Sequence, residues 1–249
     1  MELSFTFFAF AVPAVLFVGL SKGGFGNGAG FAATPFLALI LTPGEAIGLL
    51  LPLFILMDVT ALRAYWKQWH WPSARALMAG ALPGVALGAA LFSLIDGEMF
   101  KVMIGVVAIA FVAFQGVKKA GLLRPAARPM GQKAGWFAGM VSGFTSFVSH
   151  AGGPPASVYL LSQKLSKTEH QATTVVVFFV INLLKFIPYL ALGFFSKTTL
   201  LVDVMLVPVA LGGVMAGVWL HRVMPERLFF GFTYLFLLIT GSKLILDGI

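Results

Sequence analysis

Two breaks interrupt an otherwise apolar chain, and they gather most of the polar groups that could act on a ligand. The first reads SKGGFGNGAGFAATP, residues 21–35, with Lys22, Asn27 and Thr34 set among glycines that include Gly26, Gly28 and Gly30. Glycine turns the backbone without a Cβ, and the N–H groups so exposed form an anion-binding nest or a helix start. The second break, TSFVSHAGGPPAS at 145–157, relies on hydroxyls and an imidazole instead. Ser149, His150 and Ser157 flank Gly152 and Gly153, and Pro154 can open the next helix. Lysine, backbone N–H and hydroxyl donors together suit a small anion, and His150 adds a group that changes charge near neutral pH.

Lys185 and Asp58 stand out inside long apolar runs. Lys185 sits in the middle of 172–195, about 20 Å from one end at 1.5 Å per residue. A lysine at such depth in a membrane costs about 2.5–3.5 kcal/mol on insertion scales, so it should face a cavity or a counter-charge. Asp58 occupies a near-equivalent place in 46–62 and maps onto the stretch from Asn182 to Lys185. The expectation is that Asp58 and Lys185 pair, or alternate partners, in a coupling or gating role with Asn182. Enzyme chemistry has no signature: there is no HExxH pair, no carboxylate cluster for a metal and no P-loop order of glycines and lysine. No catalytic residue, metal ligand or cofactor is therefore expected.

The elements that position these residues follow from composition. Of 249 residues, 59% are hydrophobic and 10% charged, with a mean hydropathy of +0.95. Soluble domains average roughly 45–50% apolar and 25% charged, so a water-soluble fold is excluded. The absence of cysteine removes disulfide scaffolds and thiolate sites. Apolar runs recur at 5–20, 31–41, 46–62, 76–95, 100–117, 134–148, 157–161, 172–195, 200–220 and 228–246. Most are long enough to cross a bilayer as helices, the open-ended structure that satisfies its own backbone in lipid. The runs at 31–41 and 157–161 are too short. Each follows a sub-standard run and one of the two breaks, which reads as a broken helix or a re-entrant hairpin.

The basic linker 118–133 divides two units, 1–117 and 134–249, that repeat one order of features. PGVALG at 83–88 answers GGVMAG at 212–217, and GEMFK at 97–101 answers PERLF at 225–229, at nearly the same offset. An odd number of crossings per unit inverts the second relative to the first. With the linker inside, Arg63, Lys67, Arg75, Lys164, Lys167, Arg222 and Arg227 fall on the same side, which satisfies the positive-inside rule. Both termini then lie outside, in the periplasm of a bacterial inner-membrane protein, and Met1–Ser4 lacks the basic start of a cleavable leader. Trp66, Trp69 and Trp71 form an aromatic belt at the inner end. The net charge of +8 reflects the topological bias rather than nucleic-acid binding.

The segments GGFGNGAGFAATP at 23–35, HAGGPPAS at 150–157, GALPGVALGAAL at 80–91 and GGVMAGVWL at 212–220 resemble the TauE/SafE family of sulfite and organosulfonate exporters. That resemblance covers nearly the whole chain and implies export of sulfite or a sulfonate. The fold expected is an all-α integral membrane protein of two inverted-topology repeats, each of about five segments with a Gly-rich broken helix or re-entrant hairpin. In inverted-repeat transporters the substrate binds near the midplane, where broken helices meet. The expected substrate contacts are Lys22, Gly26, Asn27, Gly28, Gly30, Thr34, Ser149, His150, Gly152, Gly153 and Ser157. Partners are the lipid bilayer and the small anion, with proton or ion coupling and homo-oligomeric assembly both compatible. An anion channel and a membrane assembly factor are the alternatives.

Overall fold

The computed structural model describes residues 4–22, 30–122, 128–220 and 226–249, with side chains for all of these but 64, 167, 218, 220 and 226–230. The described residues are helical with no strand: α1 (Phe5–Leu20), α2 (Ala33–Leu37), α3 (Pro43–Ala64), α4 (Trp71–Leu94), α5 (Gly97–Lys119), α6 (Gln132–Ser149), α7 (Gly153–Ser162), α8 (Lys167–Ala191), α9 (Lys197–Leu220) and α10 (Glu226–Asp247). A single 3-10 turn, Gly30–Ala32, leads into α2. Among the described residues, five helices, α3, α4, α5, α8 and α9, contain stretches long and apolar enough to cross a membrane.

Helices begin where a polar cap meets the apolar run. Thr42 and Glu45 bond reciprocally at the start of α3, and Ser166 and Glu169 do so at the start of α8. The Asp96 carboxylate accepts from the Met99 N–H at 2.7 Å to start α5. Each cap satisfies N–H groups that a helix start leaves unpaired. The apolar run expected to continue to Phe195 stops at Ala191, because Gly193 takes φ 72° and turns the chain so that the Phe194 N–H reaches the Tyr189 carbonyl. The tryptophans of the expected belt form an edge-to-face chain, Trp69 lying 5.6 Å from both Trp66 and Trp71.

Packing crosses between the two halves. On α4, a Cβ added at Gly80 would lie 1.8 Å from the Trp136 carbonyl oxygen and one at Gly84 2.0 Å from that of Met140, so α4 and α6 touch backbone to backbone. Gly213 and Gly217 of α9 likewise abut Leu16 and Leu20 of α1. In both seams the residue numbers rise together, so the helices of each pair run parallel. By contrast α3 runs antiparallel to α8, Gly44 and Gly48 meeting Phe194 while Asp58 meets Asn182. The α5–α10 pair is antiparallel as well, with Gly105 on Gly241 and Glu98 on Gly248. Without water in the bilayer to drive association, such small-residue seams let van der Waals contact hold the helices together. The largest buried cluster draws on helices of both halves, and Asp58, Lys185 and Asp203 are buried as well.

Candidate functional site

Residues beside the first break and residues of the second line one cavity. Its lining consists of Lys22, Gly30 and Phe31 beside the first break, Ser146, His150 and Gly153 at the second, Phe54 of α3, and Phe178 and Asn182 of α8. The cavity is narrow as it stands, about 20 Å³ and so little more than a water molecule, and a polyatomic anion would enter it only as the lining parts.

Lys22 reaches the cavity because Ser21 and Lys22 continue α1 as a widened π-type turn, a local form common at functional sites. Its Nζ forms an ion pair with the Asp58 carboxylate, donates to the Phe54 carbonyl at 3.3 Å and lies 4.5 Å from the centre of the Phe54 ring. The other carboxylate oxygen of Asp58 accepts from Asn182 Nδ2 at 2.6 Å. Both oxygens of this 2% exposed aspartate are thus occupied. The expected Asp58–Lys185 pair is not formed. Asp58 takes Lys22 and Asn182 because α1 ends against α3 with its lysine at the level of Asp58, whereas Lys185 is drawn to α6.

Lys185 is fully buried on α8. Its Nζ donates to the Ser146 carbonyl at 3.2 Å and lies 2.7 Å from His150 Nδ1. The far ring nitrogen, Nε2, sits 3.0 Å from the Ile47 carbonyl. A carbonyl only accepts, so Nε2 carries a hydrogen, and a single hydrogen fits between Nδ1 and the amine. The Lys185–His150 pair therefore holds at most one positive charge. With Lys22 balanced by Asp58, protonated Lys185 leaves the cluster one positive charge in excess. Phe54 ties the two groups together: its ring stacks on His150 at 4.7 Å and an interplanar angle of 12°, while Lys22 lies over the same ring.

His150 ends α6 in the left-handed region, φ 57° and ψ 15°, a conformation rare for residues with a side chain though less so for histidine. Side chains of α6 hold the turn: Ser142 Oγ donates to the Gly152 carbonyl at 2.8 Å and Thr145 Oγ1 to that of Ala151 at 3.1 Å. A Cβ at Gly152 would meet Ser142, Ser146 and Phe178 at 2.7–3.0 Å, so this glycine is required by close approach.

The structure brings together Lys22, Gly30, His150, Gly153, Asp58, Asn182 and Lys185 from the residues expected, with Gly152 in the supporting turn. Thr34 and Ser149 are buried but do not line the cavity, and their hydroxyls have no partner among the described residues. Ser157 is half-buried on α7, also away from the lining. Gly26, Asn27 and Gly28 lie outside the described residues. Sequence reasoning missed Phe54 and Phe178, which carry no chemical signal in a chain with 25 phenylalanines, and did not single out Ser146 among the hydroxyls of the second break. It missed Tyr189 as well, whose hydroxyl donates to the Phe147 carbonyl at 2.7 Å and braces α8 on α6.

Apolar helices long enough to span a bilayer, arranged around a buried cavity with ionisable groups in and behind its wall, define a polytopic membrane protein. The family model for the sulfite exporter TauE/SafE matches residues 11–244, nearly the whole chain, and the protein belongs to that family. No curated protein and no solved structure matches the chain.

Proposed function

We propose that the protein exports a small oxyanion, sulfite or an organosulfonate, by alternating access, with the anion held in the cavity between the two breaks. The observation that carries this reading is the convergence of Lys22 and His150, one from each half, on a cavity whose buried charges sum to one excess positive when Lys185 is protonated. An anion supplies the missing charge. Ser146 and Asn182 in the lining offer polar contacts, and the unpartnered hydroxyls of Thr34 and Ser149 become donors if the breaks shift during the cycle. Gly26, Asn27 and Gly28 complete the cradle in this reading, and Asp58, Asn182 and Lys185 hold the charges that exchange partners as it opens and closes.

Units 1–117 and 134–249 act as inverted repeats. Supporting this, the corresponding helices α3 and α8 run antiparallel, as do α5 and α10, and the α4–α6 seam has its counterpart in the α9–α1 seam. The two helices that precede the breaks have 16 and 18 residues, about 24 and 27 Å at 1.5 Å per residue. Each therefore reaches well past the middle of a roughly 30 Å hydrocarbon layer before its break. The linker faces the cytoplasm and both termini face the periplasm of a bacterial inner membrane, as the basic residues favour.

Flux of labelled sulfite and sulfonates in proteoliposomes tests the proposal. Saturable transport that Lys185→Met abolishes supports it. Unsaturable conductance points to a channel, and flux unchanged by Lys185→Met removes the cavity from the pathway.

A further inference from the structure

Asp203 stands apart from the cavity. It lies on α9, about 9 Å along the helix from Lys197 at 1.5 Å per residue. It is 5% exposed, and neither carboxyl oxygen has a hydrogen-bond partner among the described residues. Val202, Leu206 and Ala210, its neighbours on the buried side of α9, are apolar and closed to solvent.

Among the described residues, the elements packed against α9 offer it no counter-charge. On α1 the described residues include no titratable group. On α3, Glu45 is held in the Thr42 capping box, Asp58 is bound to Lys22 and Asn182, and Arg63 is exposed near the far end of the helix. Lys197 of α9 itself is exposed and lies off the Asp203 face. An ionised carboxylate so placed would be unpaired in a low-dielectric surround, a costly state. A bound metal ion would need several oxygen ligands, and no group of metal-binding side chains occurs among the described residues. A proton needs only the one carboxyl.

We propose that Asp203 is a proton-binding site, separate from the anion cavity, whose loading and release bias the α1–α9 seam. A mechanical link joins Asp203 to the cavity. The same face of α9 carries Gly213 and Gly217 against Leu16 and Leu20, and α1 ends in the turn that holds Lys22 in the cavity. Neutral Asp203 lets the seam close on apolar contacts. Ionised Asp203 must reach water, which requires α9 to part from its neighbours near Lys197, and α1 moves Lys22 with it. Coupling to anion movement rests on the export reading; proton binding does not.

The test combines infrared titration with flux in reconstituted liposomes. Wild-type protein should show a carboxylic-acid carbonyl band that fades on raising pH and is missing in Asp203→Asn. Asp203→Asn, which mimics the neutral acid, should still carry sulfite but lose its response to an imposed proton gradient, and Asp203→Glu should keep both properties. A wild type with no such band, a band indifferent to pH, or an Asp203→Asn variant with the full gradient response overturns the proposal. If no anion is carried at all, the export reading fails while the band still decides the proton site. Carbon-13 labelling of aspartate in the wild type supplies that decision should the variants not fold.

Discussion

Replacing Asp58 by Asn removes the counter-charge of a lysine that pairs with no other carboxylate among the described residues. Removing one partner of a buried ion pair costs about 3–5 kcal/mol. Lys22 keeps its bond to the Phe54 carbonyl and its place over the Phe54 ring, and a desolvated cation–π contact returns up to about 2 kcal/mol, which argues for the lower end, near 3 kcal/mol. For a chain of this size each kcal/mol shifts the melting temperature by about 2–4 °C, so Asp58→Asn should melt roughly 6–12 °C below wild type. Lys22→Met should cost at least as much, since it strands a carboxylate that retains only the Asn182 donor. The double variant Lys22→Met/Asp58→Asn removes both charges and should return to within about 1 kcal/mol of wild type, because a buried pair replaced as a unit is often neutral. Thermal unfolding of the four proteins in one detergent closes the cycle. Additive single effects would refute the ion pair as described. If the double variant is as stable as wild type yet carries no anion, the lysine serves the cavity as well as the fold.

Alanine at Gly84 would drive a Cβ to 2.0 Å from the Met140 carbonyl oxygen. This backbone cannot yield locally, so the cost should exceed the usual 1–3 kcal/mol of overpacking and appear as lost monodisperse protein on size-exclusion chromatography. Alanine at Gly212, where a Cβ meets nothing within 4 Å, should instead leave the melting temperature unchanged or raise it slightly. Tyr189→Phe deletes the hydroxyl bonded to the Phe147 carbonyl and should lower stability by about 0.5–1.5 kcal/mol, measured by the same thermal assay. Ser149→Ala removes a hydroxyl that bonds nothing among the described residues and should leave stability intact; a raised KM for the anion at constant protein level would identify that hydroxyl as a substrate contact.

How much of this was legible in the sequence differs by level. The interior of each long helix was, because an apolar run without water must bond its own backbone. Their ends were less so: α8 begins at Lys167, ahead of the apolar run from 172, because Ser166 and Glu169 cap it, and it ends before that run does because Gly193 turns the chain. Lys22, His150 and Lys185 stood out because charge and imidazole are scarce in such a chain. The partner of Asp58 did not, since its choice between two lysines depends on where α1 stops against α3. Asp203 drew no attention either: near the start of a helix an aspartate looks like a surface residue, and only the packing of α9 against α1 and α3 buries it.

The exchanged seams also constrain how the protein is made. While the first half leaves the ribosome, α4 carries a glycine groove whose partner α6 has not been synthesised, and α1 waits longer still for α9. Neither half can close its own seam, so insertion must precede packing by the 56 residues from Gly84 to Met140 for α4 and by the 197 from Leu16 to Gly213 for α1. Severing the chain within the linker should for the same reason leave two fragments that are each incomplete in the membrane and that rebuild the cavity only when expressed together.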